Sequence, residues 1–184
     1  MKKKNLFALV AAIPIFLIFI VYPPVQQPIN KSIISKSPLE YKATVCIYKN
    51  GELIECKTNT LTDIGKEFIE DQLLNPQTEN VTKYISLSNV TADCSVSATK
   101  LANEFTYGGL AKAECTITDL GSGNWSCEHT FTATDYMQSV QVAGYHWNAT
   151  AQQPDMLACA TFTSINAESG DEITIRWNLS ISEA

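Results

Sequence analysis

The sequence predicts an antiparallel β-sandwich of seven or eight strands with one short helix, preceded by a signal or anchor segment and an extended tail. Three observations support this class. Short alternating segments separated by turn residues fill most of the chain after residue 40, the first residues have the pattern of an export signal, and there are six cysteines. The expected boundaries are 1–24 for the signal peptide or membrane anchor, 25–40 for the tail and 41–184 for the sandwich.

The N-terminus carries the features of an export signal. Lysines at positions 2–4 precede an uncharged run over residues 6–22, and Pro23-Pro24 ends any helix there. Such a pattern sends the rest of the chain out of the cell, which predicts an extracellular or cell-surface protein. The run of 17 residues is longer than a typical signal core and shorter than a full span of about 20. No small-residue cleavage motif precedes Val25, so cleavage stays open, and residues 6–22 are the expected membrane contact if the segment is retained.

Charge excludes two classes of partner. From Val25 onward there are 10 Lys and Arg residues against 19 Asp and Glu, a net charge of −9. Nucleic acid and anionic lipid both select basic surfaces, so neither is an expected partner. No sequence pattern indicates a cofactor.

The cysteines indicate disulfides. An even number in an exported chain favours disulfides, and the absence of C-x-x-C disfavours a metal site. Cys46 and Cys56 lie almost opposite each other across a hairpin, and a one-residue bulge would bring them into register. The other four allow three connectivities, of which Cys115–Cys127 across a second hairpin, leaving Cys94–Cys159, is preferred.

Six N-x-[ST] triplets predict N-linked glycans. Single triplets arise by chance, but six in a chain with an export signal form a stronger pattern, and none is expected to face the core. Their acceptors are Asn30, Asn80, Asn89, Asn124, Asn148 and Asn178.

Turn signals separate the predicted elements. Asn50-Gly51 marks one hairpin and residues 121–123 mark another. A helix is predicted over residues 62–74, because Leu61, Ile64 and Phe68 recur at helical spacing and Thr62 or Asp63 can cap its start. The predicted strands cover residues 41–48, 52–57, 83–88, 110–118, 124–134, 140–147, 156–163 and 172–182.

The tail is a candidate donor strand. Read as a strand, it places apolar side chains on one face together with Gln27 and Lys31, a pattern suited to completing a neighbour's sheet. The alternative is a flexible stalk between membrane and domain. The apolar residues of this face are Val25, Ile29, Ile33 and Leu39.

No motif indicates an enzyme. The sequence lacks a phosphate-binding glycine loop, a G-x-S-x-G elbow and H-E-x-x-H. The two histidines are His129, expected as a core residue, and His146. A hydrolase would need one of them in a cleft, beside a carboxylate and a hydroxyl.

The order of several short segments resembles a β-domain of phage tail-fibre-like proteins and of many archaeal surface proteins. The resemblance covers roughly residues 58–182. The matching segments are 59–69, 83–89, 101–104, 109–113, 123–125, 131–134 and 169–177.

The combination of signal, tail, sandwich and dense glycosylation triplets is similar to the glycosylated subunits of archaeal extracellular thread filaments. This resemblance implies donor-strand assembly, in which residues 25–39 of each subunit complete the sheet of the next and build a head-to-tail homopolymer. The alternative function is a membrane-anchored adhesion protein with a monomeric ectodomain, which binds through exposed aromatic residues such as Tyr145 or Trp147.

Overall fold

Two antiparallel sheets of five strands each form a sandwich, which confirms the predicted fold class. The computed structural model describes residues 39–74 and 81–183. The first sheet has the order β2-β1-β10-β7-β6 and the second β3-β9-β8-β4-β5. The strands are β1 (Leu39–Lys49), β2 (Glu52–Thr58), β3 (Thr60–Leu61), β4 (Tyr84–Ser88), β5 (Ala113–Glu114), β6 (Thr116–Gly121), β7 (Asn124–Thr132), β8 (Met137–His146), β9 (Met156–Ala167) and β10 (Glu172–Glu183).

The core lies between the inner faces of the two sheets. Trp177 of β10 is fully buried and stacks on Tyr145 of β8, with ring centroids 5.3 Å apart. Aromatic pairs of this kind add to the stability that area burial supplies. Apolar residues alternate along β10, and four of them, Ile173, Ile175, Trp177 and Leu179, are buried, whereas the next, Ile181, is 43% exposed.

The first hairpin follows its sequence signal. Asn50 and Gly51 both have positive φ, which is the geometry of a two-residue type I′ turn. A bulge between Ile47 and Tyr48 brings Cys46 opposite Cys56.

One predicted strand is divided between the two sheets. The pattern over residues 110–118 was expected to form a single strand, but β5 pairs with β4 in the second sheet and β6 pairs with β7 in the first. The chain crosses the corner of the sandwich at Cys115, whose N–H donates to the carbonyl of Lys83. Apolar and polar residues alternate in the same way before and after the chain changes sheet. The alternation therefore does not show at which residue the change occurs.

The helix α1 (Asp63–Leu74) begins one residue after its predicted start. Thr62 caps it, since its Oγ1 accepts from the Gly65 N–H at 3.0 Å and donates to the carbonyl of Met156. A Cβ on Gly65 would lie 2.1 Å from the carbonyl oxygen of Leu157. The absence of a side chain there lets the helix rest directly on β9.

An irregular segment covers the outer face of the second sheet. We call residues 89–112 the cover segment; it contains a short 3₁₀ helix (Thr91–Asp93). Its Leu101 forms a small second core with Val142, Met156 and Cys159 of the sheet. The second half of β8, from Val142 to His146, is therefore buried on both faces, unlike the half-exposed strands of the first sheet.

Candidate functional site

The structure joins the six cysteines into three disulfides, with the pairing that the sequence favoured. Cys46–Cys56 links β1 to β2, and Cys115–Cys127 closes the second hairpin across its inward face. Cys94–Cys159 ties the cover segment to β9. Three disulfides in a chain of this size are typical of an oxidising compartment.

The predicted glycan acceptors within the described residues all reach solvent. Asn89, Asn124 and Asn148 are exposed, and Asn178 is half-buried on the outer face of the first sheet. Asn124 follows the second hairpin turn, where its Nδ2 donates to the carbonyls of Gly121 and Ser122. The other two acceptors, Asn30 and Asn80, lie outside the described residues.

The predicted donor residues Val25, Ile29 and Ile33 also lie outside the described residues, as does the predicted anchor segment over 6–22. Leu39, expected to be the last donor residue, belongs instead to β1 and pairs with Glu183 of the same chain. The sandwich therefore begins two residues before its predicted boundary, because the apolar alternation of β1 starts at Leu39 and not at Tyr41. No helix in residues 39–74 or 81–183 is long and apolar enough to span a membrane.

An apolar cleft opens between the two sheets at the end of the sandwich where α1 packs. It has a volume of about 370 Å³, at the small end of the range for ligand pockets, and it is open to solvent. An open apolar cleft of this size suits the side chains of an added segment better than an enclosed small molecule. Its walls are formed by Phe68, Gln72, Val81, Thr82, Ile117, Trp125, Tyr145 and Leu157.

The strand β6 forms one rim of this cleft. Each of its six residues is exposed, and it is the last strand of the first sheet. Ile117 lies opposite the buried Cys127 and so points inward, yet 43% of its surface is exposed because no side chain of the described residues covers it. An unpaired edge beside uncovered apolar side chains is the geometry that accepts a further strand.

A second group of polar side chains is buried between the second sheet and the cover segment. Ser86 Oγ lies 2.7 Å from His146 Nε2, and His146 Nδ1 lies 2.8 Å from Asp155 Oδ1. Burial lowers the pKa of His146, so the ring is neutral: Nδ1–H donates to Asp155 and Nε2 accepts from Ser86. This is the hydrogen-bond order of a serine-hydrolase triad.

The triad-like group is closed to substrate. Ser86 and His146 are 0% exposed and Asp155 is 2% exposed. The space beside them is filled, because a Cβ on Gly144 would lie 2.5 Å from His146 Nε2. The other histidine, His129, is half-buried against the edge of Phe131 and takes no part.

Sequence reasoning considered His146 as a hydrolase residue but did not find its partners. Ser86 sits on a strand that alternates with Ile85 and Leu87, which is the pattern of a solvent-facing serine. That face is buried only because the cover segment, an irregular stretch with no periodic sequence signal, packs over it. Its Glu104 and Lys112 were likewise missed.

The fold and these contacts define a disulfide-bonded antiparallel β-sandwich with an open apolar edge and a closed polar interior. Comparisons with family models, curated proteins and solved structures found no match for this chain. Among residues 39–74 and 81–183, no cluster of three or more His, Cys, Asp or Glu side chains could hold a metal ion.

Proposed function

We propose that the protein is a structural subunit of a glycosylated extracellular filament, assembled by donor-strand complementation. Residues 25–38 of one subunit pair with the β6 edge of the next and place their apolar side chains in its cleft. The donor is one residue shorter than the sequence predicted, since Leu39 is part of β1. The observation that carries the proposal is Ile117, which faces inward, is 43% exposed and lies on an edge strand whose outer side pairs with no residue in 39–74 or 81–183.

The energetics favour an aliphatic strand as the occupant. Main-chain hydrogen bonds to β6 would supply affinity, and the alternating side chains of the tail would set the register. Burial of one isoleucine side chain contributes roughly 1.5–3 kcal/mol, so Ile29 and Ile33 together would contribute several kcal/mol. A head-to-tail contact between identical subunits that does not close into a ring produces an open filament.

The glycan acceptors are compatible with this contact. None of Asn89, Asn124, Asn148 and Asn178 lines the cleft. Glycans on these residues would coat the outside of a filament and leave the β6 edge accessible.

The alternative, a monomeric anchored protein that binds through aromatic side chains, receives less support. Tyr145 is 1% exposed, and Trp147 is half-buried and stacked on Phe68 of the helix at 4.4 Å. The two aromatic residues that were candidates for binding therefore stabilise the fold. The proposal assigns no catalytic activity, since the hydroxyl of Ser86 is buried.

The N-terminal residue and mass of the protein purified from cell surfaces, before and after deglycosylation, test the proposal. The expected result is a mature start between residues 21 and 29, in heat-resistant assemblies of high mass. Monomers that retain residues 2–22 and require detergent for extraction would contradict the filament and support the anchored protein.

A further inference from the structure

Three buried charged side chains, one lysine and two carboxylates, meet where the cover segment approaches the start of β9. The side chain of Lys112 is 2% exposed, that of Asp155 is 3% exposed and that of Glu104 is 0% exposed. Lysine and glutamate are almost never buried to this extent unless they are paired. The proposed filament does not use these groups.

As an ion pair, the arrangement is poorly satisfied. Lys112 Nζ lies 3.4 Å from both carboxylate oxygens of Asp155, whereas charge-assisted hydrogen bonds measure about 2.7–2.9 Å. Glu104 Oε1 is 3.9 Å from the same nitrogen and has no hydrogen-bond partner. Lys112 Nζ also donates to the carbonyl of Thr150 at 3.2 Å. A buried ion pair recovers its desolvation cost only with close geometry and complete hydrogen bonding, whereas here the contacts to both carboxylates are long and Glu104 Oε1 has no partner.

The same geometry suits a reaction between the two groups. Nζ is equidistant from Oδ1 and Oδ2, so it faces the carboxyl group as a whole and not one oxygen. Reacting atoms held at about 3–3.5 Å in a fixed orientation gain a large effective concentration.

We propose that Lys112 and Asp155 are joined by an intramolecular isopeptide bond, formed after folding, with Glu104 as the proton carrier. Nζ attacks Cγ of Asp155, a C–N bond forms, and the Cγ–Oδ2 bond breaks. Glu104 Oε1 takes a proton from the nitrogen and passes it to Oδ2. With this proton and the proton of the carboxylic acid, Oδ2 leaves as water. One amine and one carboxylic acid become one amide and one water, and Glu104 ends unchanged.

The neighbouring groups support this step. His146 Nδ1–H donates to Asp155 Oδ1, the oxygen that is retained as the amide carbonyl, and polarises it towards attack. Glu104 Oε2 is fixed by the backbone N–H of Gln152 at 2.9 Å, so Oε1 stays directed at the lysine. Burial raises the pKa of Glu104, which suits a group that must both accept and donate a proton.

The bond would complete the attachment of the cover segment. This stretch has few ladder hydrogen bonds of its own, and Cys94–Cys159 holds only its beginning. A link from Lys112 to Asp155 would hold its end. Both links would then fasten the cover to residues at the start of β9, whether or not the subunits assemble.

The test is peptide mapping of the purified full chain. After reduction, alkylation and chymotryptic digestion, tandem mass spectrometry should find a branched peptide in which Lys112 and Asp155 are joined, lighter than the two separate peptides by one water. Recovery of both peptides only in unlinked form from the folded wild-type protein would overturn the proposal. An unreduced portion of the digest, containing the Cys94–Cys159 peptide, reports that the cover is folded.

Two variants and one control distinguish a covalent bond between Lys112 and Asp155 from the burial of unlinked side chains. Lys112→Met should remove the branched peptide, and Glu104→Gln should reduce it at least tenfold while Cys94–Cys159 still forms. Linkage at the wild-type level in Glu104→Gln would overturn the role of Glu104. The control is Lys83→Met. Lys83 also contacts a carboxylate, Glu114, at 2.8 Å, but its side chain is 36% exposed, so this substitution should leave the branched peptide at the wild-type level.

Discussion

The two edge strands of the first sheet, β2 and β6, differ in how they are protected against pairing with a further strand. β2 carries Glu52, Glu55 and Lys57 among its seven residues, and Glu55 crosses to the second sheet, where it accepts the N–H of Thr163 in β9. β6 carries one charge, Asp119, and no residue of the described parts of the chain pairs with its outer edge. Charge and cover are the usual protection of an edge strand, so β2 is protected and β6 is not.

Apolar exposure alone does not separate these edges. Leu53 on β2 is 52% exposed and Ile117 on β6 is 43% exposed. The difference lies in the surroundings, because Ile117 faces an apolar cleft between the sheets whereas Leu53 lies beside Tyr48 on the other edge. The comparison teaches that an acceptor edge is recognised by an unfilled interior beside it and not by exposed side chains as such.

The largest effect is expected from a charge placed on each edge. Ile117→Asp should abolish high-mass assemblies, because an unpaired carboxylate buried under a donor strand costs several kcal/mol. Leu53→Asp, the matched control, should assemble as the wild type does. Assembly can be measured by gel electrophoresis without boiling and by negative-stain microscopy. Equal loss in both variants would remove the distinction between the edges.

The next largest effect is expected from removing the disulfide at each edge, which should lower the melting temperature. Their sequence separations are 10 for Cys46–Cys56 and 12 for Cys115–Cys127, so chain entropy gives each a similar stabilisation of about 3 kcal/mol. Replacing either pair with alanine should lower the melting temperature, more so for Cys115–Cys127, whose Cys127 is fully buried.

Only loss of Cys115–Cys127 should also reduce assembly, because this disulfide holds the start of β6 against β7. Calorimetry and the assembly assay on the same samples separate the two consequences. Similar assembly defects in both double variants would show that stability, and not the β6 edge, limits filament formation.

A smaller effect is expected on the outer face of the first sheet. Asn124→Gln and Asn178→Gln should each lower the mass of the mature protein by one glycan, since both acceptors reach solvent. Assembly should remain unchanged, because neither residue lines the cleft. Intact-mass measurement and the assembly assay check this; filaments lost with either glycan would place the contact on the outer face.

The smallest effect is a pH dependence of stability at the β1–β2 turn. Asp171 accepts from Asn50 Nδ2 and contacts Lys49 Nζ, each at 2.8 Å, and these contacts hold its pKa well below the ordinary value. A lowered pKa stabilises the fold above the ordinary value and loses this contribution as the pH falls towards the folded-state pKa. The turn of the β6 hairpin is held by two neutral hydrogen bonds from Asn124 and by the Gly121 N–H, which donates to Asp119 Oδ1 at 2.8 Å.

Thermal unfolding checks this dependence. The wild type should melt above Asp171→Asn at neutral pH, and the gap should narrow as the pH falls below about 4. A gap that persists at low pH would contradict the assignment to Asp171.

The sequence was sufficient for features whose signals are local. Asn50-Gly51, the cap at Thr62 and the alternation of β10 each depend on residues within a few positions, and each appears in the structure. The bulge that aligns Cys46 with Cys56 also followed from counting residues across one hairpin.

Apart from the Cys94–Cys159 pairing, features that depend on distant segments were not predicted. The polar group around His146 needs Ser86 from β4, Asp155 from the residue that precedes β9 and Lys112 from the cover segment. No periodicity connects these positions, and the cover that buries them is irregular. The division of residues 110–118 between two sheets was missed for the same reason, since a corner of a sandwich is a tertiary feature.

Electron cryomicroscopy of assemblies purified from cell surfaces tests the central claim most directly. We predict one additional extended strand beside β6, contributed by residues 25–38 of the adjacent subunit, with isoleucine side chains in the cleft against Ile117 and Trp125. An empty cleft, a tail that fills the cleft of its own subunit, or an added strand on β2 would contradict the account.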